Sequence, residues 1–221
     1  MKTLATATLA LAILPSVALA QAAGSWLIQG GMTQITPHVS SGTLSAPSPP
    51  NTTVDVSGDS KPTLQVTYVI DDHFALAVPL GTGFKHKLYG NGAIQGVGQI
   101  GTVTALPASL FFQYRFGEAQ ASFRPYAMFG MNYVFFKDAA GSAALNGLNP
   151  INPSTGTGLK IDSQFTVSTG LGMSYKLDEK WFIDLSYAKT MLKTTTTLST
   201  GQKINTTLDP SMVSLGVGMK F

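Results

Sequence analysis

Few residues in this chain belong to the types that do covalent chemistry, and their neighbours decide how to read them. His38, His73 and His86 are the three imidazoles, and none has a carboxylate or second histidine at a metal-ligand spacing, so no metal site is expected. Cysteine is absent, which removes thiol nucleophiles, disulfides and a lipid-attachment residue together. His86, within Phe84-Lys85-His86-Lys87, would act as a base if the fold brought it a hydroxyl such as Ser109 and an acid such as Asp209; that trio would make an outer-rim hydrolase. The competing reading is a polar cluster that shapes or gates a lumen without reacting. Gly96-Val97-Gly98-Gln99-Ile100-Gly101 has the spacing of a dinucleotide fingerprint, which seats a phosphate over a helix N-terminus. Gly90-Asn91-Gly92 precedes it and no amphipathic helix follows, so the segment reads as a flexible hairpin loop and no cofactor is expected.

Arg115, Asp184 and Lys176 fall on the parity of their segments that alternates with apolar residues. Buried charges need partners, so an internal ion-pair network is expected there. Pro79 and Pro107 lie inside apolar segments, where each deletes a backbone donor. They imply either strand ends near a rim or a break in pairing that opens a side port. Asn51-Thr52-Thr53 and Asn205-Thr206-Thr207 match glycosylation acceptors and are read as loop residues. The formal charge of +3 and pI of 9.1 come from scattered residues without a basic stripe, so no nucleic-acid partner is expected.

Strands must position these groups. Charged residues make up 11% of the chain against 23 glycines and a mean hydropathy of +0.18, whereas soluble domains carry about 25% charge. A helical span needs about twenty consecutive apolar residues, and no such run follows Gln21. Lys2, the apolar run Leu4 to Leu14 and the ending Ala18-Leu19-Ala20 predict a signal peptide over residues 1–20, with Gln21 first in the mature chain. Residues 21–221 then form a single barrel domain. Alternation with period two is clearest in Phe165 to Leu177, in the segment from Trp181 through Tyr187, and in Val213 to Phe221. Less regular strands are read at Trp26 to Thr36, Thr63 to Ile70, Phe74 to Leu88, Gly101 to Phe116 and Phe123 to Phe136; the last is apolar on both parities, so its faces stay unassigned. The total is about eight, as an even-numbered bacterial outer-membrane barrel requires. Trp181, Tyr175 and Phe221 are expected near one membrane boundary. Short connections at Asp71-Asp72, Gly117 to Ser122 and Asp178 to Lys180 alternate with long polar ones at Val39 to Pro62 and Lys137 to Lys160, read as periplasmic turns and mobile external loops.

Phe84-Lys85-His86-Lys87-Leu88, Leu106-Pro107-Ala108-Ser109-Leu110, Phe123-Arg124-Pro125-Tyr126 and Leu208-Asp209-Pro210, with terminal Phe221, occur in an order that resembles the outer membrane protein W (OmpW) family, including its AlkL-type hydrophobic-compound uptake barrels. The resemblance covers nearly the whole mature chain and is weakest in the loops. It implies an all-β, eight-stranded antiparallel transmembrane barrel in the bacterial outer membrane. It also implies passive passage of small hydrophobic molecules that enter from outside and leave through the wall toward lipid. Pro107 matches the family's wall-opening proline; Pro79, Phe84, His86 and Ala188 join it as channel or lateral-port candidates, and Phe221 as the assembly signal. Gly83 departs from the proline that relatives often carry there, and Ala188 from a bulky lumen aromatic. The implied partners are outer-membrane lipid, a small hydrophobic solute and the outer-membrane assembly machinery, with the oligomeric state open. A structural or surface-interaction barrel, binding receptors through long polar loops without transport, is the alternative.

Overall fold

The computed structural model describes residues 23–148 and 156–221. The expected signal peptide and Gln21 lie outside the described residues. The element order is β1 (Trp26–Thr36), β2 (Ser40–Ser41), β3 (Thr52–Val56), β4 (Asp59–Val69), β5 (Phe74–Gly81), β6 (Phe84–Gly92), β7 (Gln99–Arg115), β8 (Phe123–Gly141), the short helix α1 (Ala143–Gly147), β9 (Leu159–Ile161), β10 (Gln164–Lys176), β11 (Trp181–Thr190), β12 (Lys193–Leu198), β13 (Lys203–Thr207) and β14 (Ser211–Lys220).

β4 pairs with β1, β1 with β14, and the wall continues through β11, β10, β8 and β7 to β5 and β6. Every pairing is antiparallel, and the β7–β8 ladder closes the ring. β5 and β6 serve as two parts of one crossing, giving an eight-stranded barrel. Closure is what hydrocarbon demands, because an open sheet edge would leave peptide groups unbonded in lipid. The start of β1 and the end of β14 meet at one rim, where the Trp26 N–H donates to the Phe221 carbonyl (3.0 Å) and the Phe221 N–H to the Trp26 carbonyl (2.8 Å).

Side-chain parity sorts lipid from lumen. Ile28, Leu64, Phe112, Phe129, Leu171, Leu185 and Leu215 all stand exposed on the outside. Trp26, Tyr68, Tyr114, Tyr175, Trp181 and Phe221 edge this band at the rim of short turns, and Tyr133, Phe135, Phe165 and Tyr187 edge it at the other end. Two such aromatic belts mark the interfaces of a transmembrane barrel. The faces of β8, unassignable from sequence, now separate: Arg124, Tyr126, Met128, Asn132 and Val134 point inward and are buried, while Phe129, Met131, Tyr133 and Phe135 point outward.

Beyond the outer belt the wall continues well past the membrane. β7 has 17 residues and β8 has 19, against the 9–11 that a tilted strand needs to cross. The segments expected as mobile loops contribute β2, β3, β9 and α1, and β12 and β13 prolong β11 and β14. A second sheet, ordered β2-β13-β12-β9, stands there. In β12, Thr194, Thr196 and Leu198 alternate with Lys193, Thr195 and Thr197; Leu198 packs with Leu88, Ile100 and Val103, and Leu192, just before the strand, with Ala105, Val134 and Leu208. Two expected boundaries also move. β4 begins at Asp59 rather than Thr63, since its first residues pair with β1. The continuous strand expected from Phe74 to Leu88 is interrupted at Thr82-Gly83.

Candidate functional site

Large polar side chains close the periplasmic half of the lumen. Arg115 lies where β7 ends, Ser174 on β10, Tyr126 on β8 and Asp184 on β11; each is at most 3% exposed. An Arg115 guanidinium nitrogen donates to Ser174 Oγ (2.9 Å), Ser174 Oγ donates to one Asp184 oxygen (2.7 Å), and Tyr126 Oη donates to the other (2.9 Å). Arg115 also donates to Gln113 Oε1 (3.1 Å) and lies 5.3 Å from the centre of the Tyr126 ring. Arg124 donates to the main-chain carbonyls of Asp72 and Gly117 in the turns. Ser174 thus relays between Arg115 and Asp184, linking the two buried charges through hydrogen bonds. Glycines make the room: a Cβ on Gly172 would fall 2.2 Å from Tyr126 Cζ, and one on Gly218 2.2 Å from Phe182 Cζ. The expected Arg115–Asp184 association is therefore present through Ser174. Lys176 does not join it; it sits half-buried at the rim beside Asp178, Glu179 and Lys220, because its place at the end of β10 lets its long stem reach water.

Apolar packing roofs this polar floor. Ala77, Phe111, Tyr126, Met128 and Ala188 form one buried cluster with Met212 against it. Ala188, 1% exposed, belongs to this apolar layer, with Met128 and Met212. Above lies a cavity of about 190 Å³ lined by Phe84, Leu88, Ile100, Val103, Ala105, Val134, Leu192, Leu198 and Leu208 among others. Its outer part is walled by residues of β9, β12 and β13 that no reading of loops as polar segments anticipated. The signal was present in the spacing of Ile204, Thr206 and Leu208 and of Leu159 and Ile161, but each run is too short to stand out.

The barrel wall is broken beside this cavity. β5 pairs with β7 only from Phe74↔Tyr114 to Ala77↔Phe111, and β6 resumes pairing with β7 at Phe84↔Ala105. Val78–Gly83 and Leu106–Leu110 therefore face one another without a ladder. β5 remains paired on its other side, where Pro79 lies opposite Gln65 and Gly81 opposite Thr63; Pro107 lies opposite Val134 of β8. Unpaired backbone at membrane depth is tolerated only where it is covered by protein or lines a cavity. Both conditions bear on this place: Pro79, Leu80, Gly81 and Thr82 from one edge and Leu106, Pro107 and Ser109 from the other all line the cavity. Each proline also removes one N–H that would otherwise go unbonded.

At the top of the break, β4 and the residues before it hold β6. The Lys85 N–H donates to Asp59 Oδ2 (2.7 Å), the Lys87 N–H to Ser57 Oγ (2.9 Å) and the Ser57 N–H to the Lys87 carbonyl (2.9 Å). Between them His86 turns inward, 5% exposed, with Nδ1 2.7 Å from the Ser57 carbonyl oxygen. His86 stands opposite Val103, beyond the level at which Lys137 pairs with Thr104, and so outside the lipid-facing band. Burial pushes its pKa below the ordinary histidine value, opposed by the Ser57 carbonyl and the Asp59 charge.

A family model described as the OmpW family matches residues 22–221. The chain belongs to the OmpW family. It is 29% identical over 206 residues to outer membrane protein W of Vibrio cholerae, covering 90% of this chain and 89% of the relative. Among solved structures, OprG of Pseudomonas aeruginosa superposes with a TM-score of 0.81 at 23% identity, covering 91% of this chain and 98% of OprG. AlkL, solved in lipid bilayers, gives 0.66 at 20% identity over 96% and 97% of the two chains. The fold and the bacterial outer-membrane location of this OmpW-family barrel rest on these matches together with the closed wall and its apolar band.

The residues singled out in sequence separate accordingly. Pro79, Phe84, His86 and Pro107 all line the cavity, while Ala188 packs beneath it. The hydrolase trio does not assemble as a relay. No hydrogen bond joins the three among the described residues: His86 Nδ1 meets the Ser57 carbonyl, and the Asp209 carboxylate accepts the Leu192 N–H (2.9 Å). His38 meets Ser211, and His73 Nδ1 lies 3.1 Å from the Arg115 carbonyl. No cluster of three or more metal-ligating side chains occurs among the described residues. The glycine-rich stretch is the hairpin between β6 and β7, with Gly96 and Gly98 at φ +91 and +86, where L side chains are strained.

Proposed function

We propose that this barrel passes small hydrophobic molecules passively, from the external face into the apolar cavity and out through the Pro79–Pro107 break into membrane lipid. The observation that carries the reading is the unpaired stretch Val78–Gly83 against Leu106–Leu110, which coincides with the cavity wall. An apolar solute at the bottom of the cavity meets Gln29, Ser186 and Met128, and Tyr126 and the buried charges lie outside the lining, where desolvation without a hydrogen bond is unfavourable. The sideways path avoids that layer and ends in hydrocarbon. No chemical step, metal or cofactor takes part. Residues 1–20 act as the export signal, 21–221 as the single barrel domain and Phe221 as the cue for the outer-membrane assembly machinery.

Pro107→Val should restore a donor and favour strand pairing across the break. Uptake of a small hydrocarbon by cells lacking other routes should then fall several-fold while heat-modifiable migration of the barrel is retained. Unchanged uptake by a folded variant would contradict the lateral route.

A further inference from the structure

We infer that His86 sets the solute preference of the cavity, favouring apolar molecules that carry one hydroxyl donor, such as phenols and alkanols, over the corresponding hydrocarbons. The inference rests on the transport reading above and names its substrate class. Its basis is the assignment of the two ring nitrogens. The Ser57 carbonyl can only accept, so Nδ1 at 2.7 Å must carry the hydrogen of that bond. In the neutral ring Nε2 is then an acceptor and nothing else. Nε2 has no hydrogen-bond partner among the described residues, and it is not among the buried side-chain atoms sealed off without one. His86 lines the cavity, between Phe84 and Leu88 of its own strand and opposite Val103.

The other polar groups of the lining discriminate less. Thr33 bonds both Thr63 (2.7 Å) and Ser214 (2.8 Å), and Asn132 reaches Thr190 through Ser168. Hydroxyls both give and take, so they can satisfy each other or a passing solute of either kind. A pure acceptor on an apolar wall is different. A hydrocarbon covering Nε2 displaces water and returns no hydrogen bond, whereas a phenol O–H replaces it. Burial supports the neutral form of the ring by holding its pKa below the ordinary value. The latch around it, made by Lys85, Lys87, Ser57 and Asp59, fixes where the acceptor points.

4-Ethylphenol and ethylbenzene differ by one hydroxyl and make the test. In whole-cell uptake, each solute is compared between the native barrel and His86→Asn, whose amide nitrogen stands near Nδ1 and can keep the Ser57 bond while withdrawing the distal acceptor. The ratio of phenol to hydrocarbon uptake should fall about 3–10-fold, the worth of one hydrogen bond. An unchanged ratio with a folded variant overturns the inference. Independently, the ¹⁵N resonance of His86 Nε2 in the native protein in nanodiscs should move with 4-ethylphenol and hold still with ethylbenzene. A resonance indifferent to the phenol overturns the inference without any variant. Failure of both solutes to enter faster than in barrel-free cells would sink the transport reading, leaving the Nε2 titration to decide the acceptor by itself.

Discussion

Asp184 is the residue on which the lumen floor depends. Its two oxygens accept from Tyr126 and Ser174, and Ser174 accepts from Arg115, so removing the carboxylate strands three buried partners. Breaking a buried pair by deleting one partner costs about 3–5 kcal/mol. Asp184→Ala should lower unfolding stability by that order, read from Trp26 and Trp181 fluorescence in urea on vesicle-bound protein. Gly172→Val tests the same layer from the packing side. Its Cβ alone would overlap the Tyr126 ring, and overpacking of this kind costs about 1–3 kcal/mol. His86 supplies a pH dependence of definite sign. Its folded pKa is depressed, so the unfolded chain takes up the proton first; its share of stability is complete above about pH 6.5 and is lost as pH falls through that value toward the folded pKa. The native barrel should therefore lose more thermal stability between about pH 7.5 and 5.5 than His86→Asn does.

At the scale of elements, the interrupted crossing is the distinctive feature. β5 holds its place through β4 and β6 through β3 and the outer half of β7, while the residues between them lack a partner in β7. Backbone amides that bond no neighbour exchange soonest. On the parity that faces β7, the Gly81 amide should exchange with solvent deuterium well before that of Ala77, which pairs with Phe111; equal protection would mean that the gap closes in the membrane. The prolines at 79 and 107 made a break foreseeable in sequence, yet its position did not follow, because Phe74 to Leu88 reads as continuous apolar alternation until Thr82-Gly83 is seen between two differently paired strands. β8 was opaque for a related reason: lipid on one side and an apolar cavity on the other erase the polar parity that marks β10, β11 and β14. The outer strands were hard to read because β9, β12 and β13 are three to six residues long and mix single leucines or isoleucines with lysine and threonine, which looks like polar loop. Their burial depends on neighbours distant in sequence, among them Leu88, Ile100, Val103 and Leu145.

For the whole molecule, eight crossings, their direction and the lipid-facing parity of the last three were legible, since closure and hydrocarbon impose a pattern on every strand. The candidate site was legible in part. Pro79, Phe84, His86 and Pro107 do meet at one cavity, whereas Tyr126, Ser174 and Arg124 in the floor carried no comparable signal in isolation. The molecule divides by height into a polar, closed periplasmic half and an apolar, covered outer half, with the wall break alongside. The most direct test is photolabelling with an apolar diazirine solute added from outside, with competition by excess ethylbenzene to separate cavity adducts from general lipid labelling. Competed adducts should fall on cavity residues such as Leu88, Val103 and Phe111 and continue through Leu80 and Leu106, sparing Ser174 and Asp184. Competed adducts that run down to Asp184 and the short-turn rim, with none at Leu80 or Leu106, would contradict the account.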